Sequence, residues 1–299
     1  MRQGLVVMRG EGEGIAEHGS NGNGSRPPLL TPWHEEAARE VIRRVRRYVP
    51  AELVRALLFG SRARGDARPD SDVDILLIFR ELPPDREPQA GQAEQIADDV
   101  AAESGVPVAT WSVALIDLEV GKRTPMLVDA LDDGVPLWPP WVPPRRVSFT
   151  PWDALRCTGA LLTRVEEGGE EVAAHRAAGT ITAAARRARG DVVRLCTAAL
   201  LLHGETRPRR GEAVRRFLEL YGADAALRPA ASVLRWAADS YGVDEQDEDR
   251  PVELPRGGFS AIADAMDLLA DWVDRRRAEL DARVPPLRNL GVYGRIPPA

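Results

Sequence analysis

Residues 58–79 read LFGSRARGDARPDSDVDILLIF, and this stretch decides the fold. It begins inside an apolar run, residues 53–59 (LVRALLF), which stops at Gly60. A short apolar run bounded by glycine predicts a buried strand. A second strand is expected over 72–79, DVDILLIF. Between the two stand Gly60 and Ser61, then a turn of Arg62, Ala63, Arg64 and Gly65. Glycine lets the backbone approach a ligand closely. A serine opening a short helix leaves N–H groups and a hydroxyl facing outward, which suits a phosphate. Asp72 and Asp74 occupy positions i and i+2, so on a strand they point to one face. Two carboxylates side by side raise each other's pKa, and a divalent cation relieves the repulsion. Mg²⁺ takes one or two carboxylates together with water and substrate phosphate oxygens. A plain acidic strand end beside a Gly-Ser turn is the alternative. The order strand, G-S, ten residues, D-x-D, apolar run is what favours the metal–phosphate reading.

Working outward, helical and strand patterns alternate on either side of this stretch. Residues 35–48 carry Ala38, Val41, Ile42 and Val45 at helical spacing. Residues 88–104 predict a second helix ending before Gly105, and 106–116 (VPVATWSVALI) a third strand. A further helix is expected over 124–133 with Gly134 as its stop, followed by a short edge strand, VPLW, at 135–138. Residues 138–152, WPPWVPPRRVSFTPW, hold too many prolines for a helix or central strand. Beyond them only helical periods occur, over 152–167, 182–203, 211–221, 229–241 and a last segment marked by Ile262, Met266, Leu269 and Val273. The expected fold class is α+β: a small mixed sheet flanked by helices, then an all-α bundle. The expected organisation is a polar tail at 1–30, a first domain at 31–138, a Pro-rich linker at 139–151, a helical domain at 152–283 and a tail at 284–299.

Composition excludes several kinds of chemistry. The 299 residues hold 40 Lys and Arg against 46 Asp and Glu, and Lys122 is the sole lysine. A P-loop is ruled out, because Gly121-Lys122 has Ile116 at the first glycine's place and is followed by Arg123. Schiff-base chemistry would have to use Lys122. Any phosphate must therefore be met by arginine, backbone N–H groups or a metal. The net charge of −6 argues against sequence-independent nucleic-acid binding. Cys157 and Cys196 read as core residues, and His18, His34, His175 and His203 form no zinc spacing. The first apolar run, Leu5 to Met8, is too short for a signal peptide, and no stretch approaches a membrane span of about 18 apolar residues. A cytoplasmic location without membrane partners is expected.

The segment resembles the signature of the polymerase-beta-like nucleotidyltransferase superfamily, most of all its minimal and antibiotic nucleotidyltransferases. Gly60 and Ser61 match the family's G-S pair, and Asp72 and Asp74 its metal-binding D-x-D. The likeness extends more loosely over about 35–138, to an ending at Gly134–Trp138. It implies transfer of a nucleoside monophosphate from an NTP, with AMP from ATP as the expected case, to a hydroxyl on a small molecule or protein. Two Mg²⁺ ions are implied at Asp72 and Asp74, with Gly60 and Ser61 on the triphosphate. Arg62 and Arg64 are the nearest cations for phosphate oxygens, or else surface partners of Asp66 and Asp70. The family usually places a third carboxylate on the third strand. Residues 106–116 contain none, and Asp117, with the strand parity of Trp111 and Val113, is the candidate just beyond. The C-terminal segment, about 152–280, resembles a HEPN-type helical domain, but Arg194 and His203 lie too far apart for that family's RNase motif. An arginine cluster, Arg207, Arg209, Arg210, Arg215 and Arg216, reads as a solvated face beside Glu212 and Glu219. Two alternatives stand: an aminoglycoside-type antibiotic nucleotidyltransferase, and a catalytically weak regulatory or toxin–antitoxin-like module.

Overall fold

The computed structural model describes residues 30–82, 87–142, 147–206, 212–240 and 252–286. The expected tail 1–30, apart from Leu30, lies outside them, as do most of the expected tail 284–299, part of the linker, Arg207, Arg209 and Arg210. The described residues divide into two compact units. One takes the chain up to Glu119 together with Met126–Ser148, and the other takes Val120–Pro125 and the chain from Phe149 onward.

The first unit is a four-stranded sheet between helices. Helix α1 (Pro32–Tyr48) starts on Thr31, whose hydroxyl accepts from the His34 N–H while the His34 ring accepts from the Thr31 N–H, with Pro32 in the first turn. Strand β1 (Leu53–Phe59) leads into a five-residue helix, α2 (Gly60–Arg64), and β2 (Val73–Phe79) follows. Helix α3 (Glu87–Ser104) then crosses over to β3 (Val108–Ala114), which pairs with β2 in parallel. Helix α4 (Pro125–Asp132) and β4 (Val135–Trp138) complete the unit. The strand order is β3-β2-β1-β4, with the β1 pairings antiparallel, so β4 is the edge strand expected from VPLW.

Both faces of β1 and β2 are covered, which is why these strands read as continuous apolar runs. Ile75, Leu77 and Phe79 pack with Ala38, Val41, Ile42 and Val45 of α1 and Ala93 and Ala97 of α3. Leu76 and Ile78 face the other way, onto Leu127, Ala130 and Leu131 of α4. One element differs from the sequence pattern. The third strand ends at Ala114 rather than at 116, because residues Leu115–Leu118 turn into a short 3₁₀ helix. Its apolar composition continues unbroken, so periodicity alone misses the turn.

The second unit is a helical bundle of α5 (Pro151–Ala177), α6 (Ile181–His203), α7 (Ala213–Tyr221), α8 (Ala231–Ser240) and α9 (Gly258–Asp281). The stripe of Val192, Leu195, Cys196 and Ala199 on α6 meets Phe217, Leu234, Ile262, Leu269, Trp272 and Val273 in one core. Helix α5 runs through Gly168 and Gly169, where the sequence pattern ends it at 167. Tertiary packing explains the difference. A Cβ on Gly168 would stand 2.2 Å from Asp191 Oδ2, so a bare backbone is needed where the two helices approach. Asp191 is fully buried, and Arg194 Nη1 donates to it at 2.6 Å. Burial nonetheless pushes its carboxyl above the ordinary value.

Asp153 near the start of α5 explains why Val120–Pro125 belongs to this unit. Its carboxylate accepts from the Arg123 N–H at 3.0 Å and from the Thr150 N–H at 2.9 Å. Arg156 donates to the carbonyls of Lys122 and Arg123 at 2.8 and 3.0 Å. His203 meets the Tyr221 hydroxyl at 3.0 Å and His175 meets Thr180 at 3.0 Å, so both act as helix-end contacts. Of the arginine cluster, Arg216 pairs with Glu205 and Glu219, as a solvated face does. No described helix is long and apolar enough to cross a membrane.

Leu77 is 0% exposed at the centre of the first core. Truncation there removes methylenes and leaves a cavity. Leu77→Ala is expected to lower unfolding free energy by about 2–5 kcal/mol in urea titrations of the full chain.

Candidate active site

The site forms where β1 ends and β2 begins. Phe59, the last residue of β1, pairs across the ladder with Asp74 of β2. Gly60 follows with φ +74°, and Gly65 closes α2 with φ +75°, its N–H donating to the Ser61 carbonyl. Gly60 is held to glycine for two reasons. Its φ lies in the left-handed region, and a Cβ there would stand 2.2 Å from Asp74 Oδ2. The turn thus lays bare backbone directly against the carboxylate.

Asp74 is half-buried, whereas Asp72, just before the strand, is exposed. Burial is the first cause that raises the Asp74 carboxyl above its ordinary value, and the Asp72 charge is the second. Arg64 and Arg62 pull it back in part. Repulsion between the two aspartates, expected from their spacing, is therefore present, and the protein's own cations do not cancel it.

Arg62, expected to meet a phosphate oxygen or a surface acid, is turned inward onto backbone carbonyls. It is 4% exposed. Its Nε donates to the carbonyls of Ser71 (3.0 Å) and Asp72 (3.2 Å), and its Nη2 donates to those of Ser71 (2.5 Å) and Pro69 (3.4 Å). The guanidinium staples the loop that delivers Asp72 and Asp74. That loop is further fixed by Ser71, whose hydroxyl accepts from the Arg68 N–H at 2.9 Å, and by the Val73 N–H donating to Pro107 O at 2.8 Å. His34 also lies near Arg62. Burial, and then that guanidinium, hold its imidazole below the usual value. Arg64 stays exposed, with Asp66 at 3.5 Å. Ser61 is half-buried at the start of α2.

Asp117 stands apart from the pair's strand face. It lies in the 3₁₀ turn after β3, where its Oδ2 accepts from the Ala114 N–H at 2.9 Å and so ends the strand. On β3 itself the residues sharing the face of Asp74, Leu76 and Ile78 are their register partners Ala109, Trp111 and Val113. Trp111 approaches Phe59, the ladder partner of Asp74, with ring centroids 6.4 Å apart. Sequence reading passed over these rings, and their strand parity with Asp72 and Asp74 was the available signal. Among the described residues no group of three His, Cys, Asp or Glu side chains comes together. The donor set is a carboxylate pair. It fits a hard cation that completes its shell with water and phosphate oxygens.

The mixed sheet thus presents a Gly-Ser turn beside two carboxylates at the start of β2. Residues 38–131 match the nucleotidyltransferase domain family. The match runs from α1 to the end of α4 and includes Gly60, Ser61, Asp72 and Asp74. Over these residues the chain is similar to nucleotidyltransferase domains, a family whose general activity is transfer of a nucleotide group. No curated protein matches the chain.

Two outcomes follow from the Gly60–Asp74 contact. Gly60→Ala is expected to cost about 1–2 kcal/mol from its φ alone and to displace Asp74. Differential scanning calorimetry should show a lowered Tm with unchanged far-UV circular dichroism. Asp74→Asn is expected to raise the Tm of the metal-free protein near neutral pH. The sign follows from the raised carboxyl. The stabilising protonated form is complete below the ordinary 3.8 and is lost as pH rises through the higher folded value. The gain from asparagine should therefore vanish in acid, and Tm measured against pH checks it.

Proposed function

We propose that the chain is an Mg²⁺-dependent nucleotidyltransferase that moves a nucleoside monophosphate, AMP in the expected case, from an NTP to a hydroxyl acceptor. The observation that carries the reading is the carboxylate pair held against the Gly60–Ser61 turn, with Asp74 already raised by burial and by Asp72. Asp72 and Asp74 would hold the metal. When bound, the metal neutralises phosphate charge and favours ionisation of the attacking hydroxyl.

The protein's part is positioning and electrostatics. Gly60 and Ser61 present backbone N–H groups and a hydroxyl to the triphosphate. Arg62 sets the height of both carboxylates through the loop carbonyls it grips. Arg64, exposed beside Asp66, is the side chain that would meet a phosphate oxygen. The acceptor oxygen bonds to the α-phosphorus, the bond to the β-phosphate oxygen breaks, pyrophosphate leaves and the acceptor proton passes to water. A small molecule, as for an aminoglycoside-type enzyme, and a protein hydroxyl both suit this chemistry. The helical unit is read as a HEPN-like companion domain, supported by its helical bundle; without an Arg–His pair at nuclease spacing, no RNase activity is assigned to it.

A second reading has one observation in its favour. The described site holds two carboxylates without a third, which suits a catalytically weak regulatory or toxin–antitoxin-like module. Incubating the full chain with Mg²⁺ and α-labelled NTPs separates the two. The enzyme reading expects pyrophosphate release or self-labelling, best with ATP, that falls on the order of 100-fold in Asp72→Ala or Asp74→Ala. No metal-dependent turnover, with no difference between those variants and the parent, overturns it and leaves the module reading.

A further inference from the structure

The first unit has a concave feature remote from the carboxylate pair. Helix α1 and edge strand β4 enclose a groove of about 310 Å³. Arg39, Arg43, Arg46 and Arg47 line it from the helix, Leu137 and Trp138 come from the strand, and no carboxylate is among its lining residues. The groove lies toward the far end of α1. Arg46 and Arg47 are in the helix's last turn, whereas His34 in its first turn is the residue near Arg62. Trp138 pairs with Ala56 in the middle of β1, several residues before Gly60.

The four guanidiniums differ in how they are satisfied. Arg39 pairs with Glu35 at 2.8 Å, and Arg43 donates to Glu40 at 2.7 Å. Among the described residues, Arg46 and Arg47 pair with no carboxylate, and both are exposed. Each instead lies over an aromatic ring, Arg46 at 4.5 Å from the Trp138 centroid and Arg47 at 5.2 Å from that of Tyr48. Stacking keeps a guanidinium extended with its donor edge open, in a geometry that suits the oxygens of a phosphate. Arg46 and Arg47, adjacent and without a paired carboxylate among the described residues, repel one another, and a bound anion relieves that repulsion. All this occurs on a chain whose net charge is −6.

We propose that this groove is a second anion site, separate from the carboxylate pair, that takes a small phosphate-bearing ligand. Its volume sits at the lower end of small-molecule pockets, roughly 300–1,000 Å³, and so admits one small anion. A nucleotide and inorganic polyphosphate both carry such a phosphate, since the arginines read the phosphate and not what it is attached to.

The test titrates the full chain in EDTA, so that metal-dependent binding at Asp72 and Asp74 is silenced. Pyrophosphate and AMP are the probes, followed by isothermal calorimetry. Saturable binding of either near one equivalent is expected, weakening as salt is raised. It should fall at least tenfold in the Arg46→Gln/Arg47→Gln variant and persist in Asp72→Asn/Asp74→Asn. Tighter AMP identifies a nucleotide site, and tighter pyrophosphate an inorganic one. A retained far-UV spectrum and Tm in the arginine variant exclude unfolding as the cause of the loss. If neither probe saturates, if affinity is unchanged in the arginine variant, or if it disappears in the aspartate variant, the proposal is overturned.

Discussion

The structure of the first unit turns on one contact: a half-buried carboxylate, Asp74, laid against a glycine that has no room for a side chain. The contact is unfavourable by itself. Burial and the neighbouring Asp72 both disfavour the charged form. It persists because stronger constraints surround it. Asp74 is locked in the ladder between Phe59 and Ala109, and the strand behind it, Ile75 to Phe79, is buried on both faces. Local cost is held in place by the sheet, as is common where a site is preorganised for charge that arrives with a ligand.

Arg62 is the second element of that arrangement. A guanidinium has five donors and no acceptor, so it can satisfy several carbonyls of an irregular loop at once. It does so for residues 69–72, where regular secondary structure offers no partners. Two arginines separated by one residue thus have unlike roles. Arg62 is spent on backbone geometry, and Arg64 remains at the surface near the carboxylates.

Much of this was legible in the sequence. LVRALLF and DVDILLIF gave themselves away as strands because both of their faces are buried, and the α+β division followed from the change of period after the proline-rich stretch. The side-by-side aspartates followed from the two-residue repeat of a strand. What was hidden depended on contacts distant in sequence. The end of β3 was hidden because Asp117, by bonding the Ala114 N–H, folds an apolar segment into a 3₁₀ turn. The length of α5 was hidden because Gly168 reads as a helix stop until Asp191 of the facing helix is seen against it. The burial of Arg62 was hidden because nothing in an R-x-R pattern tells which arginine turns inward. Trp111 beside Phe59 shares the strand parity of the aspartates, yet its neighbour is set by strand order, which one sequence does not print.

The central claim is that Asp72 and Asp74 together hold a divalent cation with a nucleotide. Electron paramagnetic resonance of Mn²⁺ titrated into the full chain, with a non-hydrolysable ATP analogue present, addresses it most directly. Bound Mn²⁺ should appear at one to two equivalents, require the nucleotide for full occupancy, and be lost in Asp74→Asn although that variant remains folded. Equal Mn²⁺ uptake by the parent and Asp74→Asn would contradict the account.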